Sequence, residues 1–285
     1  MQDRRYILTI SCPDRVGIVA AVAGFLAAHN GWITEASHHS DPSNNSFFMR
    51  HELMADSLPF GFDAFRDKFR RIAEEFRMTW NITDSAVKKK VAILVSRQDH
   101  CLSDLLHRWR NRELDFDLRC VISNHDELRK FVEWHNVPYH CVPVPPDARD
   151  EAFRRTEALI QEHRTDTIVL ARYMQVLPAE MCSRHLGRMI NIHHSFLPSF
   201  VGARPYHQAF DRGVKLIGAT CHYVTTELDA GPIIEQDVIR VDHSDTIDDM
   251  VRLGRDVEKA VLARGLRYHV QDRVLLNQSK TVVFH

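Results

Sequence analysis

Val91 to Ser96 reads VAILVS, five consecutive apolar residues and a serine. A strand with one wet face would alternate polar and apolar residues, so an unbroken run is the pattern of a strand covered on both faces. Downstream the pattern recurs with helical segments between: helix Leu102 to Arg110, strand Asp117 to Ser123, helix His125 to His135, short strand Tyr139 to Val144 and helix Ala148 to His163. Strand Thr167 to Ala171, helix Pro178 to His185 and strand Met189 to His193 continue it. Apolar strands separated by helices of 8 to 16 residues predict a mostly parallel, Rossmann-like α/β sheet with helices on both faces. In such sheets chemistry gathers at the carboxyl ends of strands.

Upstream of Val91 the pattern differs. Arg5 to Ser11 (RYILTIS) predicts a strand, Pro13 to Gly17 a turn, and Ile18 to His29 an apolar, Ala-rich helix stopped by Asn30-Gly31. Trp32 to His38 and Ser46 to Met54 predict strands around a turn at Asp41 to Asn45. Phe62 to Arg77 carries Phe62, Phe65, Phe69, Ile72, Ala73 and Phe76 at helical spacing, and Met78 to Thr83 closes as a strand. The order βαββαβ predicts a ferredoxin-like antiparallel sheet with two helices on one face. Asp84 to Lys90 (DSAVKKK) loses periodicity and predicts a linker. The expected organisation is therefore a first domain at 1–83, a linker at 84–90 and a second domain at 91–285.

At 285 residues two cores are the prior, and 44% hydrophobic with 26% charged residues is an ordinary globular balance. A formal net charge of -1 supplies no field for nucleic acid or anionic lipid. The six cysteines, Cys12, Cys101, Cys120, Cys141, Cys182 and Cys221, form no C-x-x-C pair, which argues against a disulfide framework or zinc ribbon. The amino-terminal MQDRRYILTISCPD has no signal-like apolar core, and no run approaches a membrane span. A cytoplasmic location is the expectation.

The polar strand end is at Ile190 to Pro198, INIHHSFLP. Alternation points Asn191 and His193 to one face and Ile192 and His194 to the other, so the adjacent histidines are poorly placed to share a metal. Further metal-ligand candidates, His207, His222 and Asp229, show no zinc-protease spacing. After a strand at Gly218 to Val224, the loop Thr225 to Gly231 supplies Asp229 beside Ala230-Gly231, and a strand follows at Pro232 to Gln236. An amide that donates to an oxyanion, an imidazole that exchanges a proton and a carboxylate that fixes the imidazole suit attack on a carbonyl carbon. On the residues alone, a metal site, an acid/base site and a hydrogen-bonded strand end all remain open.

Two resemblances extend this reading. The D-x-x-G helix start at Asp14 and Gly17, with Asn30-Gly31 after the helix, resembles the ACT domains, small regulatory modules that pair and bind amino acids between subunits. It implies an amino-acid effector at Asp14, Gly17, Asn30 and Gly31, and a homo-oligomer. Asn191-Ile192-His193, then Ser195, Leu197-Pro198, Gly202 and Asp229-Ala230-Gly231, resembles the formyltetrahydrofolate-dependent formyltransferase fold, whose matched Asn, His and Asp are the catalytic trio. Arg172, Tyr173, Met174, Gln175, Val176 and Leu177 look like that family's folate loop, and the resemblance adds Thr225, Thr226, Glu227 and Leu228 as substrate-binding positions.

Two departures count against transfer to a nucleotide. The loop Ser96 to Leu102 has no glycine, and its Asp99 would repel a phosphate; His194 stands where the transferases usually have proline. With the ACT-like segment in front, the chain is similar to the formyltetrahydrofolate deformylases. That resemblance implies hydrolysis of 10-formyltetrahydrofolate to formate and tetrahydrofolate, balancing one-carbon pools for purine biosynthesis, with no cofactor and no metal. The alternatives are transfer to an amine and a non-catalytic folate or amino-acid sensor.

Overall fold

The computed structural model describes residues 4–199 and 205–285. The chain forms two compact units. The first takes in the chain up to Lys88 with Gln271–Asn277 and Thr281–His285; the second takes in Lys89–Val270 and Gln278–Lys280. The expected 91–285 boundary thus differs at its end, because most of the last segment folds onto the first unit.

The first unit has the expected order: β1 (Arg5–Pro13), α1 (Ile18–Ala28), β2 (Ile33–Asp41), β3 (Ser46–Met54), α2 (Phe62–Glu75) and β4 (Thr79–Asp84). The sheet runs β2-β3-β1-β4 with every pairing antiparallel. Along β1 the alternate residues Tyr6, Leu8, Ile10 and Cys12 are buried, and they share one core with Ile18, Val22 and Leu26 of α1 and Phe65, Phe69 and Ile72 of α2. Burying each such side chain contributes roughly 1.5–3 kcal/mol. Gly17 starts α1 at φ +99°, a left-handed conformation that glycine adopts without strain.

On the opposite face β3 is also buried, which a ferredoxin-like sheet with one wet face does not explain. A carboxyl-terminal hairpin, Val274–Asn277 with Lys280–Val283, was not expected from the sequence and accounts for it. Leu275, Val282 and Phe284 pack on Phe48. Beside them Arg50 is fully buried: its Nη1 donates to Glu35 at 3.0 Å, its Nη2 to Glu52 at 2.6 Å, and Nε and Nη2 donate to the carbonyls of Asp272 and Gln271 at 3.1 Å each. Arg273 also bonds Glu35 at 2.9 Å. A buried cation is retained only where such partners replace its water.

The second unit holds β5 (Lys90–Val95), α3 (His100–Arg110), β6 (Asp117–Ser123), α4 (Arg129–Glu133), β7 (Tyr139–Cys141), α5 (Arg149–Glu162) and β8 (Thr167–Leu170). Then follow α6 (Ala179–Arg184), β9 (Met189–His193), α7 (Pro205–Asp211), β10 (Leu216–Tyr223), β11 (Ile233–Arg240) and α8 (Ile247–Val270). The seven strands lie in the order β11-β10-β9-β8-β5-β6-β7; the five from β9 to β7 are parallel, and β10 pairs antiparallel with both β9 and β11. The expected helix His125 to His135 shortens to α4, because a turn occupies its start, with His125 N–H bonded to Ser123 Oγ and Arg129 N–H to the Asp126 carbonyl. The 24-residue α8 is an addition to the expected elements. Phe200 to Arg204, which include Gly202, lie outside the described residues.

One sheet face, with Leu94, Ile122, Leu170 and Met189, packs on Phe153, Leu159 and Ile160 of α5 and Met181 of α6. The other carries α3 and α8. Gly265 of α8 lies so close to β10 that a Cβ there would sit 2.4 Å from Cys221 Sγ, and Cys221 pairs with Ile192 in register.

Removing the buried cation tests how much the first unit depends on its polar face. Arg50→Met is expected to lower the unfolding free energy by about 3 kcal/mol: Arg5 still bonds Glu52 and Arg273 still bonds Glu35, but each carboxylate loses one cation and the carbonyls of Gln271 and Asp272 lose their donor. Denaturant titration followed by circular dichroism measures it.

Candidate active site

Strand β9 runs Met189–His193 as expected, and its alternation separates its polar residues. Met189 faces α5 and α6, so Asn191 and His193, two and four residues on, face that side as well. Strand β10 runs antiparallel with Asn191 opposite His222 and His193 opposite Thr220. The turn after β10 then folds back toward β9. Asp229 takes a left-handed conformation, φ +54°, and its Oδ1 reaches His193 Nδ1 at 3.3 Å and lies 3.9 Å from His222 Nε2. Gly231 makes the return tight: a Cβ there would lie 1.7 Å from the Tyr223 carbonyl oxygen.

Hydrogen bonding fixes the protonation pattern. His222 Nδ1 is 2.9 Å from the carbonyl oxygen of Tyr223, so Nδ1 carries the proton and Nε2 is an acceptor. Asn191 Nδ2 lies 3.2 Å from that Nε2 and donates to it, which orients the amide and leaves its second N–H available. His222 was visible in the sequence only as a metal-ligand candidate. His193 is buried, its Nδ1 is taken by Asp229, and its Nε2 has no hydrogen-bond partner among the described residues. A buried polar atom without a partner costs free energy, so a bound group that meets Nε2 is stabilised by it.

Burial pushes the Asp229 carboxyl up, but the hydrogen bond from His193 and the neighbouring imidazoles outweigh it and hold the pKa below the usual value. Asp229 is therefore an anion at neutral pH. Burial, reinforced by repulsion from Arg172, pushes His194 down to about 3. Desolvation lowers His222 as well, partly offset by its bond to the Tyr223 carbonyl. Both rings are neutral at pH 7.

His194 points to the opposite face, as alternation requires. Its ring lies edge-on to His193 at 5.2 Å between centroids and to Tyr206 of α7 at 6.0 Å. Beyond Tyr206 is a polar cluster. Tyr206 Oη donates to Glu258 Oε1 at 2.6 Å, while His100 Nε2 lies 2.8 Å and Arg172 Nε 3.4 Å from Glu258 Oε2. Glu258 was absent from the expected site. The signal for it is a glutamate on the apolar stripe Met250, Gly254, Val257, Val261 and Leu262 of α8.

The expected folate segment divides into two kinds of residue. Arg172 is buried, with Nε donating to Gln98 at 3.0 Å, so its guanidinium faces inward; Tyr173 and the partly buried Leu177 pack into the sheet core. Met174 and Val176 are exposed apolar side chains, and Gln175 is partly exposed and accepts from Arg149 at 3.3 Å. In the second expected segment Thr225 bonds the Glu227 carbonyl at 3.0 Å, and Thr226, Glu227 and Leu228 are exposed. In the first unit, Asp14 accepts from Ser40, Gly17 and Asn30 are exposed, and Gly31 N–H bonds the Leu26 carbonyl at 2.8 Å. Among the described residues, the groups whose donor atoms lie within 4.8 Å of one another in a metal-ligating set are Cys120, His140 and His163, and His100, Cys101 and Glu258. Neither includes the trio, and His207 is exposed on α7.

Comparison with known proteins decides the family. The formyl transferase family matches residues 89–266, and the ACT domain matches residues 6–59. The formyltetrahydrofolate deformylase of Bacillus subtilis is 46% identical over 98% of this chain and 93% of its own length. The chain belongs to the formyltetrahydrofolate deformylase family. A second deformylase, from Synechocystis, is 43% identical over all of both chains. The crystal structure of the Pseudomonas syringae deformylase superposes with a TM-score of 0.98 at 65% identity, covering 99% of this chain and 95% of that one. A glycinamide ribonucleotide transformylase from Symbiobacterium toebii covers only 72% of this chain, at a TM-score of 0.66 and 25% identity. Deformylase relatives therefore match the whole chain, and this transformylase matches a part of it.

The buried imidazole of His194 has a consequence for stability. The folded chain keeps it neutral down to about pH 3, whereas an ordinary histidine takes a proton near pH 6.5. The unfolded chain therefore binds more protons below about pH 6.5, and stability falls as the pH drops from there toward 3. Unfolding free energies measured between pH 7 and pH 4 are expected to show this decline, and His194→Phe is expected to flatten it.

Proposed function

We propose that this chain hydrolyses 10-formyltetrahydrofolate to formate and tetrahydrofolate, with Asn191, His193 and Asp229 as the catalytic residues. The observation that supports these roles most is the buried Nε2 of His193, without a hydrogen-bond partner among the described residues, on an imidazole whose Nδ1 meets Asp229 and on the same strand face as Asn191. Asp229 holds the imidazole through Nδ1 and stabilises the cation that forms. His193 Nε2 takes a proton from water as the water oxygen bonds the formyl carbon. The free N–H of Asn191 donates to the oxyanion. His193 then returns the proton to the folate nitrogen, the carbon–nitrogen bond breaks, and formate and tetrahydrofolate leave. Atoms balance with water as the one co-reactant, and the reading assigns no cofactor and no metal.

His222 is a positioning residue in this scheme, since its neutral Nε2 turns the Asn191 amide. The folate lies along the 172–177 and 225–228 segments, where the exposed Met174, Val176 and Leu228 offer apolar surface to a pterin. In the first unit an amino acid binds at the ACT domain, at the Asp14 to Gly17 turn and Asn30-Gly31, between paired copies of the chain.

Formate release from 10-formyltetrahydrofolate without any amine is the direct measurement. Asn191→Ala is expected to lower kcat roughly 100-fold to 1,000-fold, and His193→Ala and Asp229→Asn roughly 100-fold to 10,000-fold, with circular dichroism spectra unchanged. Near wild-type turnover by Asp229→Asn would refute these catalytic roles. Formate or formyl transfer seen only with an added amine would instead assign a transferase.

The ACT reading has its own measurement. Glycine or methionine is expected to shift kcat or KM as it is titrated, with a matching change in sedimentation. A flat response to both would leave the domain without an amino-acid role.

A further inference from the structure

The trio uses one face of β9, but a buried polar cluster of the second unit lies on the other. Glu258 is 1% exposed, and its carboxylate is bonded from three separate elements. His100 begins α3, Tyr206 lies on α7, and Arg172 starts the segment that follows β8. Gly254, one helical turn before Glu258, makes room for this: a Cβ there would lie 2.1 Å from Tyr206 Oη. Burial alone would push the Glu258 carboxyl up, and the bonds from His100 and Tyr206 with the charge of Arg172 more than compensate.

Arg172 itself is strained. Its φ is +64°, a left-handed value uncommon for a long side chain. Such a residue persists when its surroundings determine its conformation. Here Nε is held by Gln98 and Glu258, the carbonyl accepts from Ser96 N–H at 3.3 Å, and two residues on Met174 N–H donates to Ser96 Oγ at 3.0 Å. Beyond the buried Arg172, Met174 and Val176 are exposed. Glu258 thus acts on the 172–177 segment from within the fold, while Tyr206 carries the same anchor to the ring of His194, next to His193.

We propose that Glu258 is a positioning residue, whose buried carboxylate fixes Arg172 in its left-handed conformation and thereby sets the shape of the 172–177 segment that receives the folate. The proposal rests on the folate reading above, and its test has one arm that does not. Amide hydrogen exchange read by mass spectrometry on the full chain follows the segment directly. In Glu258→Gln, the peptide spanning 172–177 is expected to exchange about tenfold faster than in wild type, with the β6 peptide, 117–123, as an unchanged control. In the same variant KM for 10-formyltetrahydrofolate is expected to rise about tenfold and by more than kcat falls, because a displaced binding segment costs affinity whereas a loss of folded protein lowers only the apparent kcat. Tyr206→Phe, which removes a single bond to Glu258, is expected to move both readouts the same way by about threefold and serves if Glu258→Gln does not fold.

Exchange at 172–177 within twofold of wild type in a folded variant would overturn the proposal. Faster exchange with an unchanged KM would overturn its functional half, since the segment would then be held but not used. Faster exchange in a chain whose wild type releases no formate would refute the hydrolase reading and leave the anchor standing.

Discussion

Successive side chains of a strand point to opposite faces, and at β9 that constraint governs the rest of the site. Asn191 and His193 share one side with His222 and Asp229, while His194 is carried to the side where Tyr206, Arg172 and Glu258 meet. A one-residue slip would exchange the two sets. The pairing with β10 prevents it, because the cores of α5 and α6 on one face and of α8 on the other fix which residues must be inward.

The two faces hold charge differently. On the trio side the polar atoms are only partly satisfied among the described residues: His193 Nε2 has no partner there, and Asn191 uses one of its two amide N–H groups on His222. On the α8 side each oxygen of Glu258 is bonded. A site that leaves donors and acceptors unpaired needs a rigid neighbour, since otherwise the groups would relax onto each other. On the His194 side, Glu258 is bonded through both carboxylate oxygens, and the Pseudomonas syringae deformylase shares the fold in which it sits.

A similar arrangement operates in the first unit. Its sheet buries one face under α1 and α2 by hydrophobic packing, and the other under a hairpin drawn from the end of the chain around the buried Arg50. The carboxyl-terminal segment therefore completes the amino-terminal unit, and the two-unit organisation is not a simple division at residue 88.

Elements whose signal is local were legible in the sequence. The βαββαβ order, the unbroken apolar strands and the pairing of Asn191 with His193 on one face all follow from periods of 3.6 and 2 read along short windows. The family resemblance then marked Asp229, which no spacing rule would have joined to His193, 36 residues away in the chain. Contacts between distant segments emerged only on folding: β10 turning antiparallel so that His222 orients Asn191, the guanidinium of Arg172 facing inward, the hairpin crossing to the first unit, and α8 supplying Glu258. A lone glutamate on an apolar stripe, or an arginine in a loop, is ambiguous in a sequence because its partners lie far along the chain, as with Tyr206 and Glu258 at 52 residues, Arg172 and Glu258 at 86 or His100 and Glu258 at 158. A buried charge is tolerable only once those partners have been brought to it, and that is a property of the folded chain.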